Sequence, residues 1–144
     1  MIKDTHVFAR HGGLDLECDV YAPPQRTESS PVFLFFHSGG LVGGSKERVP
    51  PWLMQVRPSP ISQSISLSPL RLLLTSGPVE MKACWRRKWP LISAAYRLLP
   101  QAGSAGLLGD VAAAYKFASS YGSSSGGVIV GGASAGTWFD SSSS

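Results

Sequence analysis

Apolar and polar residues alternate over residues 5–10 and 14–21, the period-two pattern of strands with one buried face. His11-Gly12-Gly13 lies between them and reads as a hairpin turn. Ala22-Pro23-Pro24 stops the second strand. Residues 31–36 (PVFLFF) are wholly apolar, which suits a strand covered on both faces. Loop and a short helix are expected over residues 41–55. Residues 89–96 (WPLISAAY) predict a fourth strand. Residues 106–119 predict a helix with Leu107, Val111, Ala114 and Phe117 on its inner stripe. Val128, Ile129 and Val130 predict a fifth strand, and a further helix is expected from Thr137. An antiparallel hairpin followed by parallel strands with flanking helices defines an α/β class.

Residues 56–81 fit neither period. Proline recurs there at Pro58, Pro60, Pro69 and Pro78. A structureless stretch of that length counts against membership of a compact domain, so residues 56–81 are expected to be an insertion.

Beyond the fifth strand only small residues follow: Gly131, Gly132, Ala133, Ser134, Ala135 and Gly136. A strand ending in G-x-S-x-G can turn sharply and present its serine Oγ as a nucleophile. The pattern alone is weak in a chain with 16 Gly, and Gly122, Ser124 and Gly126 repeat it. That second match follows a helical stretch, whereas Ser134 follows a strand. Thr137 stands where a phosphate loop needs lysine, and Ala133 where a dinucleotide fingerprint needs glycine.

The 144 residues make at most one ordinary domain, and 43% hydrophobic content suits a packed core. Charged residues at 15% argue against a disordered, charge-rich chain. The net charge is only +4, and Arg86-Arg87-Lys88 is too short a cluster for a nucleic-acid partner. Cys18 and Cys84 lack metal-ligand spacing and read as free thiols, so no metal is expected. With no membrane-spanning run and no secretory leader at the start of the chain, a cytoplasmic location is expected.

Several pieces, in order, resemble one family, the hormone-sensitive-lipase-like (fold-3) branch of the α/β-hydrolases. Asp19–Pro23 (DVYAP) is similar to the end of the family's second strand. His37-Ser38-Gly39-Gly40 resembles its HGGG oxyanion motif, with Ser38 in place of the first glycine. Tyr96–Gln101 (YRLLPQ) resembles its YRLAPE, followed by a helix carrying Asp110. Gly132–Gly136 resembles its nucleophile elbow. The resemblance covers about residues 5–55 and 84–139. It implies a serine carboxylesterase with a small-molecule ester substrate and no cofactor. Ser134 would be the nucleophile, and the N–H groups of Gly39, Gly40 and Ala135 the oxyanion donors. His37 would hold the oxyanion loop, and Arg97 with Asp110 would fix a strand-to-helix connection.

The family places its catalytic acid and histidine well after the nucleophile. Here the residues after Ser134 include Asp140 and no histidine, and His6, His11 and His37 all precede it. A serine without its base is a weak nucleophile. The chain therefore reads as a truncated α/β-hydrolase fold, with residues 1–144 a partial domain ending just past the elbow and inactive by itself. Two other readings stay open: a non-enzymatic fragment, or a small-molecule-binding member without a triad. The fifth strand would leave an apolar sheet edge through which the chain could self-associate.

Overall fold

The computed structural model describes residues 2–27, 29–50, 84, 87–122 and 126–134. The expected insertion at residues 56–81 and the expected helix from Thr137 lie outside them, as do Ala135 and most of the GSSSG repeat.

Strands β1 (Ile2–His11) and β2 (Leu14–Ala22) form the antiparallel hairpin, with His11 opposite Leu14. Gly12 and Gly13 have φ of 55° and 89°, the left-handed pair that a tight two-residue turn needs. β3 (Val32–Phe36) follows, then β4 (Leu91–Ala94), helix α1 (Ser104–Tyr121) and β5 (Val128–Gly132). The sheet order is β1-β2-β4-β3-β5. β3 pairs in parallel with β4 and β5, and β4 pairs antiparallel with β2. This is the mixed sheet that the α/β class implies.

β3 is the centre of the molecule. Val32, Leu34 and Phe36 on one face pack with Cys18, Val20, Ile92 and the α1 residues Leu107, Ala114 and Ala118. Phe35 on the other face packs with Tyr21, Cys84 and Leu91. Its wholly apolar sequence matches this two-sided burial, and each such side chain contributes about 1.5–3 kcal/mol.

Two expectations are corrected. The fourth strand is shorter than residues 89–96, because Pro90 has no N–H and the Trp89 N–H donates to the Cys84 carbonyl instead of a neighbouring strand. The inner face of α1 is turned: Leu107, Asp110, Ala114 and Ala118 are buried, while Val111 and Phe117 are partly buried at its flanks. Asp110 occupies the inner position because the partly buried Arg97 meets it there, Nη2 to Oδ1 at 2.8 Å.

Candidate active site

In a parallel sheet, sites form beyond the carboxyl ends of the strands. β3 and β5 are adjacent there, and the Ala133 N–H donates to the Phe36 carbonyl at 3.2 Å. That bond brings the His37-Ser38-Gly39-Gly40 loop and Ser134 to the ends of neighbouring strands. Ser134 is exposed and holds φ of 54°, a left-handed conformation rare for a residue with a side chain. Just before it, Gly131 lets the Phe33 ring lie against the strand: a Cβ there would come within 2.7 Å of the ring.

The loop after β3 depends on its glycines. Gly39 has φ of 147° and Gly40 of 62°. The Gly39 carbonyl accepts from the Val42 and Gly43 N–H groups at 3.1 and 3.0 Å, and a Cβ on Gly39 would overlap the Gly43 carbonyl. A Cβ on Gly44 would collide with the His37 ring and the Ser38 carbonyl. Among the described residues, neither the Gly39 nor the Gly40 N–H donates a hydrogen bond. Two adjacent unspent donors on a fixed loop can stabilise an anion.

His37 is buried and lies flat on Tyr96, with ring centroids 4.3 Å apart and planes 13° apart. Its Nδ1 is 3.0 Å from the Ser38 carbonyl oxygen, and the Tyr96 hydroxyl donates to the His37 carbonyl at 2.9 Å. Burial pushes the imidazole pKa below its ordinary value. A neutral Nδ1–H donating to Ser38 O fits these distances, so the ring braces the loop.

Arg97 and Asp110 meet as the sequence suggests. Asp110 is fully buried and accepts from Arg97 Nη2 at 2.8 Å, from Nε at 3.0 Å and from the Arg97 backbone N–H at 2.9 Å. Arg97 Nη2 also donates to the Gly106 carbonyl at 3.0 Å. The pair ties the segment after β4 to the second turn of α1.

Two contacts escaped the sequence reading. His11, at the hairpin end, places Nε2 3.2 Å from Asp110 Oδ1. Asp19 is fully buried and gathers Thr5 Oγ1 at 2.8 Å, Lys3 Nζ at 2.9 Å and Lys46 Nζ at 3.2 Å. Burial raises the Asp19 carboxyl pKa, but the hydrogen bonds from Lys3, Thr5 and Lys46 outweigh it and hold it below the usual carboxylate range. Lys46 also reaches Glu47 at 3.0 Å, and its carbonyl accepts from Ser93 Oγ at 2.8 Å. The loop behind Gly39-Gly40 is thereby clamped to β2 and β4. An acidic residue at an inward strand position, as Asp19 is, was the available signal; its partner Lys46 lay in a loop with no period to place it.

Cys18 and Cys84 are both buried and free, and burial pushes their thiols up to about 12 and about 11. No group of three or more metal-ligating side chains occurs among the described residues. A cavity of about 520 Å³ between α1 and β5 contains none of the candidate site residues. No helix among the described residues is long and apolar enough to cross a membrane.

No family model matches the chain. No curated protein matches it. Solved structures do. A thermophilic esterase from the Planctomycetes species Thermogutta terrifontis, Est2, superimposes with a TM-score of 0.62 at 16% identity, covering 95% of this chain and 42% of its own. Its butyrate-bound form matches with the same TM-score and identity. A protein with unknown function from Staphylococcus aureus subsp. aureus Mu50 matches at a TM-score of 0.62 and 20% identity, covering 96% of this chain and 39% of its own. The fold is thus of α/β-hydrolase type. The chain spans about two-fifths of the length of these structures.

Proposed function

We infer that this chain carries the nucleophile and oxyanion half of a serine carboxylesterase site, of the hormone-sensitive-lipase-like kind. The observation that supports it most is Ser134, exposed at φ of 54° immediately after a parallel strand. A serine held in that strained turn presents Oγ for attack on an ester carbonyl. As Oγ bonds to the carbonyl carbon, the carbonyl oxygen takes the negative charge. The N–H groups of Gly39, Gly40 and Ala135 would receive it. The alcohol then leaves with the acyl group on Ser134, and water releases the acid. Short-chain acyl esters are the proposed substrates, by analogy with the esterase bound to butyrate.

Proton transfer from Ser134 needs a base, and a residue downstream of Ser134 would supply it in a longer chain. His37 is already engaged with Tyr96 and Ser38, which supports a bracing role. Within the same proposal, residues 56–81 are foreign to the hydrolase domain, most simply a retained intron translated in frame; a mature message that keeps the segment at full abundance would contradict this.

Assays of a short-chain aryl ester test the proposed chemistry. The 144-residue chain should give negligible turnover. A longer chain that continues to a downstream acid and histidine should hydrolyse the ester and lose that activity on Ser134→Ala. Turnover by the longer chain that survives Ser134→Ala would overturn the assignment, and Ser134-dependent turnover by the 144 residues would overturn the need for a downstream base.

A further inference from the structure

The turn that follows β3 contains an outlier. Gly40 and Leu41 have φ of 62° and 65°. The Val42 N–H donates to the Gly39 carbonyl at 3.1 Å, and the Gly43 N–H joins it at 3.0 Å. Two left-handed residues inside such a closed turn are the mark of type I′, which is built from glycine, asparagine and aspartate. Gly40 meets that demand. Leu41 does not, because a bulky side chain crowds its own backbone when φ is positive. Strain of this kind persists only where the surroundings hold it, and it gathers at functional sites.

Two contacts among the described residues hold it here. The Leu41 side chain is half-buried against the core cluster that includes Leu34, Phe36 and Leu107. Its carbonyl accepts from the Leu99 N–H at 2.7 Å. Leu98, next to Leu99, packs on the same core, and Arg97 before it is pinned to Asp110 at 2.8 Å. Leu41 thus joins the glycine turn to the fixed segment after β4. Were Leu41 to relax to negative φ, the bond from Val42 to Gly39 would open, and the Gly39 and Gly40 peptide planes would be free to rotate. We propose that Leu41 is the positioning residue of the Gly39-Gly40 loop: core packing and the Leu99 bond hold it in a conformation it disfavours, and that conformation fixes the directions of the Gly39 and Gly40 N–H groups. The role rests on reading those groups as oxyanion donors. Donors fixed before the reaction stabilise the developing charge without reorganising. A residue that acts through the loop and not on the substrate shows its effect in kcat more than in KM.

Three variants separate anchoring from bulk. Leu41→Ala removes the side chain that packs on the core and keeps the strain of a Cβ at positive φ. Leu41→Gly removes the side chain and the strain together. Leu41→Met keeps packing volume and strain. Amide exchange of Val42 and Gly43 in the 144-residue chain reads the turn without any ester chemistry. It should quicken by about tenfold in Leu41→Ala, by less in Leu41→Gly and hardly at all in Leu41→Met, while the Leu34 and Phe36 amides stay protected in all three. A core side chain with no role in the turn gives the reverse order, because glycine adds backbone freedom to the same loss of packing; that order overturns the proposal. In a longer chain that turns over the aryl ester through Ser134, Leu41→Ala should lower kcat by at least about tenfold with KM within about twofold, and Leu41→Met should keep both. An unchanged kcat in Leu41→Ala overturns the positioning role. A longer chain without Ser134-dependent turnover overturns the ester reading instead, and the exchange order then decides alone whether Leu41 holds the turn.

Discussion

The two strands that carry the candidate site are built to different standards. β3 has a neighbour on each side and a covered face above and below, with Leu34 and Phe36 fully buried. The loop it delivers is held by the His37–Tyr96 stack, the Asp19–Lys46 pair and the Ser93 bond to the Lys46 carbonyl. Among the described residues β5 pairs with β3 alone, its residues are half-buried or exposed, and the Ala133 N–H after it donates to the Phe36 carbonyl. The loop proposed to carry the oxyanion donors is therefore braced by several described contacts, whereas the strand before the proposed nucleophile is the less buried of the two.

Core truncation should separate the two strands most sharply. Phe36→Ala removes a fully buried ring from the middle of the sheet and should cost about 3–5 kcal/mol in a urea melt. Val130→Ala, on half-buried β5, should cost only about 1 kcal/mol. Both melts belong at one protein concentration, because association would shift each. Equal losses would erase the distinction.

Release of the loop clamp comes next. Asp19→Asn removes the anion between Lys3 and Lys46, and amide exchange at Val42 and Gly43 should quicken by about tenfold. Asp19 is also a source of acid sensitivity. Its folded pKa lies below the unfolded carboxylate value of about 3.9, so its stabilisation is complete above that value and is lost as pH falls through the folded one. Asp19→Asn should flatten the melt profile in that acid window.

His37 should act at milder pH and more weakly. Burial lowers its folded pKa, so the unfolded chain binds the proton first. Stability should fall as pH drops below about 6.5, down to the folded pKa, and His37→Phe should remove that slope. A slope that persists in His37→Phe would assign it to another group. The smallest effect concerns the edges: Val7→Lys on the charged edge should shift stability by less than about 0.5 kcal/mol.

Period and composition are enough to find each of the five described strands, though not the bounds of β4. PVFLFF predicted the doubly buried β3, and the glycine pair at Gly12 and Gly13 predicted the hairpin. Strand order was another matter: no period says that β4 inserts between β2 and β3, because that is decided by crossover connections. On α1 the apolar spacing finds four residues that pack with the core, Leu107, Val111, Ala114 and Phe117, but not Asp110, which Arg97 makes a buried residue of that face. In the site, Ser134 and the two glycines stood out by residue type and order. The clamp from Lys46 to Asp19 and the approach of His11 to Asp110 join segments distant in sequence, and only the folded chain brings them together.

Everything proposed for the site turns on Ser134 being held in a strained turn, and the melting temperatures of Ser134→Gly and Ser134→Ala at one concentration test this directly. At an ordinary backbone position alanine is the more stable of the two by about 0.5–1 kcal/mol. At φ of 54° the order should reverse, because the left-handed conformation costs a side-chain-bearing residue about 1–2 kcal/mol that glycine does not bear. A higher melting temperature for Ser134→Gly than for Ser134→Ala is the expected result; the opposite order would mean that Ser134 rests in a relaxed loop and is not poised at an elbow.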